Sequence, residues 1–171
     1  MAVADASVLI IMAKIGQLSL LRPIYGNVVI GPVVKEEVVD RGRQVGALEV
    51  DHVQQALDRG WLRVESVTEA ALHIRQQLMQ STTLDVGEIE ALALAKTRQE
   101  KLLVDDKEAR AMATAMKVMR VGTAGVLLEA YLARHLDLRE LEQAVSDMAA
   151  VWWVAPGVIA DILRRAREVT R

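Results

Sequence analysis

The chain has 171 residues, enough for one domain with a sizeable core, and 52% of them are apolar, with no Phe. The absence of cysteine excludes disulfides, thiolate metal sites and a cysteine nucleophile. Its 21 basic and 23 acidic residues give a net charge of −2, so any nucleic-acid contact rests on a local patch rather than on a basic coat.

No stretch reaches the ~18 uninterrupted apolar residues that a membrane span needs. The N-terminal apolar run has no basic lead and is broken early by Asp5, so no signal peptide is expected. With no cysteine as well, a cytoplasmic location is the expectation.

In chain order, Ala2 to Ala4 is a short apolar run ending at Asp5, a strand-to-helix turn, after which SVLIIMAK reads as a helix. Leu18 to Ile24 is a short helical piece stopped by Pro23 and Gly26, and Val28 to Ile30 is a strand. Gly31-Pro32 opens a helix with proline in its first turn, where the missing donor does no harm. Residues 45–59 form a further helix ended by Gly60; Leu62 to Val67 is a strand, and Thr68 caps a helix through about Met79. After Leu84 come an amphipathic helix opened by carboxylates and the strand Leu102 to Val104, which stops at Asp105-Asp106. Lys107 to Met116 is helical, Val118 to Val121 is the last strand, and Gly122-Thr123 leads into GVLLEAYLARHL. Leu138 to Val151 and Pro156 to Val169 are closing helices, separated by Trp152-Trp153-Val154. Strands alternating with helices across short joins indicate a three-layer α/β/α domain with a central parallel sheet. It is read as one domain over 1–171, with the acidic core in about 1–135 and the closing helices in about 136–171.

In an open parallel sheet, ligands bind just beyond the carboxyl ends of the strands, where right-handed crossovers gather the strand ends at one rim. Asp5, Glu37, Glu88 and the pair Asp105-Asp106 converge there in principle. At ~100° per residue Val34 and Val38 share a face that Glu37 borders, whereas Glu36 points away from it. Each acid also has a plain structural role open to it. Asp85 with Glu88 fits a capping box, Asp105 or Asp106 fits a helix cap, Asp5 a turn residue and Glu37 a surface charge. Together they make a hard, oxygen-rich site suited to Mg2+ or Mn2+. His52, His73 and His135 share no spacing and are read as structural or exposed.

The series VADASVLI, VVIGPVVKEEVV, GEIEALALA, KLLVDDKEAR and VGTAGVLLEAYLARHL resembles the PIN domain, the fold of the toxin ribonucleases in VapBC toxin–antitoxin pairs. The closing WWVAPGVIADILRRA is similar to the tail of a compact prokaryotic PIN subgroup. The resemblance implies metal-binding roles for Asp5, Glu37, Glu88 and Asp106, with Asp105 sharing the work, Ser7 as a neighbouring polar group and Glu90 as the fallback for Glu88. Glu88 stands where the toxins usually carry Asp, one methylene longer in reach. The implied chemistry is Mg2+- or Mn2+-dependent hydrolysis of RNA, with a small antitoxin protein as partner and a homodimer as the assembly.

Gly122-Thr123 reads as a cap and tight turn, with Thr123 a candidate to hydrogen-bond into the site, while Lys14, Arg41, Arg43, Lys107 and Arg110 are the candidate phosphate contacts at the rim, set against a solvated charged face. The other function class is a non-catalytic module acting through protein partners. It takes the form of a PIN-like domain without activity, or of a receiver-like switch, whose acidic pair normally ends the first strand.

Overall fold

The protein, a computed structural model, is described over residues 1–169. Five strands form one parallel sheet in the order β3-β2-β1-β4-β5. These are β1 (Ala2–Ala4), β2 (Val28–Ile30), β3 (Leu62–Val64), β4 (Lys101–Leu103) and β5 (Arg120–Val121). The first half of the chain adds α1 (Ala6–Lys14), α2 (Leu21–Tyr25), α3 (Pro32–Lys35), a short α4 (Gly42–Gln44), α5 (Val50–Asp58) and α6 (Glu69–Ser81). The second half adds α7 (Val86–Arg98), α8 (Lys107–Ala115), α9 (Thr123–Leu132), α10 (Leu138–Val151) and α11 (Pro156–Val169).

β1 and β2 are buried on both faces, which is why they read as unbroken apolar runs instead of alternating ones. Alternation survives in which layer each side chain meets. Ala2, Ala4, Val28, Ile30 and Leu103 enter one core with α1, α5, α9, α10 and α11. Val3, Val29 and Leu102 enter the other with α6, α7 and α8. The three-layer α/β/α expectation therefore holds. Among the described residues no helix is long and apolar enough to cross a membrane.

Several element ends differ from the sequence reading, each for a local reason. β3 stops at Val64 rather than Val67, because β2 offers it only Val28, Val29 and Ile30 as partners, and Glu65 closes the ladder on the Ile30 carbonyl. β5 begins at Arg120 rather than Val118, because Lys117 adopts a left-handed φ of 57° and the Val118 N–H turns back to Ala113 as the exit turn of α8. The expected helix over 45–59 starts only at Val50, and Val45 and Leu48 are exposed before it.

The largest difference lies after α3, where the backbone opens into a π-helical turn over Glu36–Arg41. That turn buries the consecutive residues Val38 and Val39, which a regular 3.6-residue helix would not place on one narrow face. Leu18 to Ile24 divides into a 3₁₀ turn, Leu18–Leu20, and α2.

The rim opposite the acids is held by a polar triad. Tyr25, at the end of α2, donates to Glu129 of α9 at 2.6 Å, and Lys101 of β4 pairs with the same carboxylate at 2.7 Å. The Lys101 ammonium also lies 5.4 Å from the Tyr25 ring centre.

Candidate active site

β1 and β4 are neighbours, paired Ala4 to Leu103, so the residues leaving their carboxyl ends emerge side by side. The Asp5 N–H extends the ladder onto the Leu103 carbonyl at 2.9 Å, and Asp5 then caps α1. Its Oδ2 accepts from the Ser7 N–H at 3.3 Å and the Ser7 hydroxyl at 2.7 Å, and the residue is buried. Asp106, beyond β4, caps α8 by accepting the Ala109 N–H at 2.8 Å through Oδ1. Its second oxygen has no hydrogen-bond partner among the described residues.

The N-terminus of α7 comes to the same rim. Asp85 and Glu88 form the reciprocal capping box that their spacing implied: the Glu88 N–H donates to Asp85 at 2.8 Å, and the Asp85 N–H donates to Glu88 at 3.0 Å. Glu37, in the π-helical turn, reaches the group from the side and accepts no hydrogen bond among the described residues. Gly87 keeps this junction narrow: a Cβ there would stand 3.3 Å from an Asp85 oxygen and 3.4 Å from Glu37 Oε2.

These carboxylates, from Asp5, Glu37, Asp85, Glu88 and Asp106, line one cavity of about 300 Å³. Its remaining wall is Ile10, Ile11 and Lys14 of α1 with Val151 and Trp152 from the end of α10. A larger groove of about 510 Å³ along Gln80–Leu84, with Glu108 and Met112, carries a single acid and no such convergence.

Burial, and after it mutual repulsion, raises three of these acids. Burial raises the Asp5 carboxyl above its usual range, opposed by the Ser7 and backbone hydrogen bonds and reinforced by the Asp85 charge. Glu37 is raised by burial and by the charges of Asp5 and Asp85, against a lesser pull from Arg41. Glu88 is pushed up to about 7, by burial first and then by Asp85, Asp106 and Asp5, despite its capping hydrogen bond.

Glu88→Gln follows as a test. Gln still accepts the Asp85 N–H in the capping box, so the substitution removes charge and keeps the cap. Between its ordinary value of 4.5 and about 7, the folded wild type holds a proton that the unfolded chain has lost. The contribution of Glu88 to stability is therefore greatest at and below the ordinary value and falls as pH rises through the folded one. In metal-free buffer Glu88→Gln is expected to melt higher than wild type at pH 8 and to match it near pH 4.5. Parallel melting curves across that range would remove Glu88 from the crowded group.

The other sequence candidates are placed differently. Asp105 turns to α9: the buried Thr123 donates to it through its N–H, at 2.9 Å, and through its hydroxyl. Burial raises Asp105, opposed by those bonds and by Arg110, and neither Asp105 nor Thr123 lines the cavity. Glu90, the fallback for Glu88, is 1% exposed and lies inside the protein, accepting the Val33 N–H at 2.8 Å with Arg75 at 3.8 Å. Glu36 is exposed and pairs with Arg41 at 3.3 Å.

Of the five rim cations only Lys14 lines the cavity, 3.5 Å from Glu49. Arg43 donates to Gln54, Lys107 is exposed, and Arg110 lies beside Gly122 and Asp105. Asp85 was legible as a cap but not as a site residue, although the cap of a helix that starts at the rim necessarily faces it. Trp152 had no local signal, since the packing of α10 against α1 brings it there.

The donor set fits a hard divalent cation, since the cavity is lined by carboxylates and a hydroxyl and by no imidazole or thiol. The side chains do not stand as a ready-made cage: among the described residues no three acids are close enough to hold an ion as placed. No curated protein and no solved structure matches the chain. The sequence model of the PIN domain matches residues 1–168, a span that takes in all five strands and every acid of the cavity. The chain belongs to the PIN-domain family.

Proposed function

We propose that this PIN domain is a Mg2+- or Mn2+-dependent endoribonuclease. One observation carries the reading: five carboxylates from four separate segments line a single cavity at the carboxyl ends of β1 and β4. The family supports it, because the PIN fold is a nuclease fold whose members typically use divalent ions.

Asp5, Glu37, Glu88 and Asp106, joined by Asp85, would hold the metal, with Asp105 kept back by Thr123. A cation bound there supplies an activated water and charge stabilisation on the phosphate. The chain's own contribution is placement. Ser7 fixes the Asp5 carboxylate, the Ala109 N–H fixes that of Asp106, and Lys14 offers the phosphate a cation in the cavity lining.

The resemblance along the chain supports a finer reading: the toxin of a toxin–antitoxin pair, cytoplasmic and homodimeric, inhibited by a small antitoxin protein. A receiver-like switch has no support, since β1 is followed by the single Asp5 and the acidic pair follows β4.

Purified protein is expected to cut an RNA pool in Mn2+ and to stop in EDTA. Glu37→Gln is expected to lower the rate at least about tenfold, one open ligand's worth of transition-state stabilisation, while Glu36→Gln stays near wild type. Cleavage that continues in EDTA would exclude the metal mechanism, and a sensitive Glu36 would move the site to the other face of the π-helical turn.

A further inference from the structure

The cavity has two unlike sets of lining residues: the carboxylates, and the apolar side chains of Trp152, Val151, Ile10 and Ile11, with Lys14 beside them in the lining. Trp152 ends α10 on extended backbone, φ −144° and ψ 139°, so its neighbour Trp153 points the other way and is 81% exposed. Trp152 itself is 46% exposed, and its indole N–H donates to no described residue. A half-exposed indole lining a carboxylate-rich cavity, with a free donor at its edge, matches a ligand that is apolar on its faces and polar on its rim.

A nucleotide is such a ligand: a planar base joined to an anionic phosphate. We infer that Trp152 is a positioning residue on which one unpaired base of a single-stranded substrate stacks, setting the adjoining phosphate between the acids and Lys14. The inference rests on the ribonuclease reading above and adds to it the residue that holds the base. In a duplex both faces of each base are already covered by its neighbours, so no face is free for the indole. A volume of about 300 Å³ is at the lower end of ligand sites, room for one nucleotide and not for a helix. Stacking on an indole is blind to sequence, so Trp152 selects strandedness rather than a target motif.

The test pairs binding with cleavage. Equilibrium binding of a fluorescein-labelled, phosphorothioate-linked single-stranded RNA is measured in Mn2+ by anisotropy, alongside initial cleavage rates on the natural strand. Trp152→Ala is expected to weaken binding about tenfold, within the range for loss of one base–aromatic stack. Trp152→Phe is expected to recover most of that loss, and Trp153→Ala to bind as wild type. A strand with one abasic position at the stacked base should bind wild type as weakly as the intact strand binds Trp152→Ala, and the two losses should not add. The matching duplex should compete poorly.

Undiminished binding by Trp152→Ala, or equal competition by the duplex, would overturn the proposal while leaving the ribonuclease intact. Losses that add between the abasic strand and Trp152→Ala would assign the residue to packing and overturn it as well. A wild-type protein that neither binds nor cuts any strand in Mn2+ would remove the ribonuclease reading itself, and the stacking role with it.

Discussion

Asp5→Asn is expected to lower Mn2+-dependent cleavage by roughly 100-fold, about 3 kcal/mol of lost stabilisation at the reacting phosphate, without unfolding the protein. The fold survives because Asn equals Asp as an N-cap and still accepts from Ser7 at the start of α1. The substitution removes the charge and little else. Burial and the Asp85 charge raise Asp5 in the folded state, so its ionised form at neutral pH opposes folding, and the metal-free variant is expected to melt at or above wild type.

Metal reverses the order. An ion that binds only the folded wild type adds ~2.7 kcal/mol at one hundred times its dissociation constant, and much less to a variant lacking one of its ligands. Asp106→Asn, which likewise keeps its cap on Ala109, should show the same lost response. Melting curves with and without Mn2+, beside cleavage rates, decide the matter. If Mn2+ shifts wild type and both variants equally, Asp5 and Asp106 are helix caps and nothing more.

A stability effect of comparable size is expected at a residue outside the cavity lining. Gly31 precedes α3 at φ −82°, an ordinary backbone conformation, so its lack of a side chain answers to space rather than to backbone freedom. A Cβ there would stand 1.9 Å from Glu90 Oε1 and 2.4 Å from its Cδ. Glu90 cannot swing aside cheaply, because it is buried and its carboxylate accepts the Val33 N–H where α3 begins. An anion at that end also faces the positive pole of the helix.

Gly31→Ala is therefore expected to cost about 3 kcal/mol, from overpacking together with a displaced buried hydrogen bond. In a chain of this length that lowers the melting temperature by roughly 6–12 °C. Cleavage should fall as well, since α3 runs directly into the turn that carries Glu37. Adding Glu90→Ala removes the clash, so the double variant should lose less than the sum of the singles. Melting of Gly31→Ala at the wild-type temperature would show that the junction yields, and would remove Glu90 as the strut of the Glu37 helix.

Glu90 shows how far local pattern reaches. Glu88 and Glu90 lie two residues apart on one helix, which puts them on different sides of it, and the sequence contains both side assignments in outline. The capping box told that Glu88 closes the start of α7, and a helix starting at the rim brings that residue to the rim. Nothing local told that Glu90 would receive an N–H from α3, because its partner is 57 positions away. The choice between Asp105 and Asp106 was open for the same reason: adjacent residues leave the strand in different directions, and Thr123 of α9 fixes which one is drawn away.

Composition and pattern by themselves determined the α/β class, the order of the elements, the parallel sheet and the end of it at which acids collect. These follow from apolar runs, caps and glycine or proline stops, signals that act within a few residues. The tertiary structure decided the rest. It opened the π-helical turn that carries Glu37, cut β3 to the length of its neighbour, and drew Asp105 to α9. It added Asp85 to the acids and closed the cavity with Trp152 from the far end of α10. Each of these depends on a group brought near by packing rather than by chain order, and no local preference encodes such a meeting.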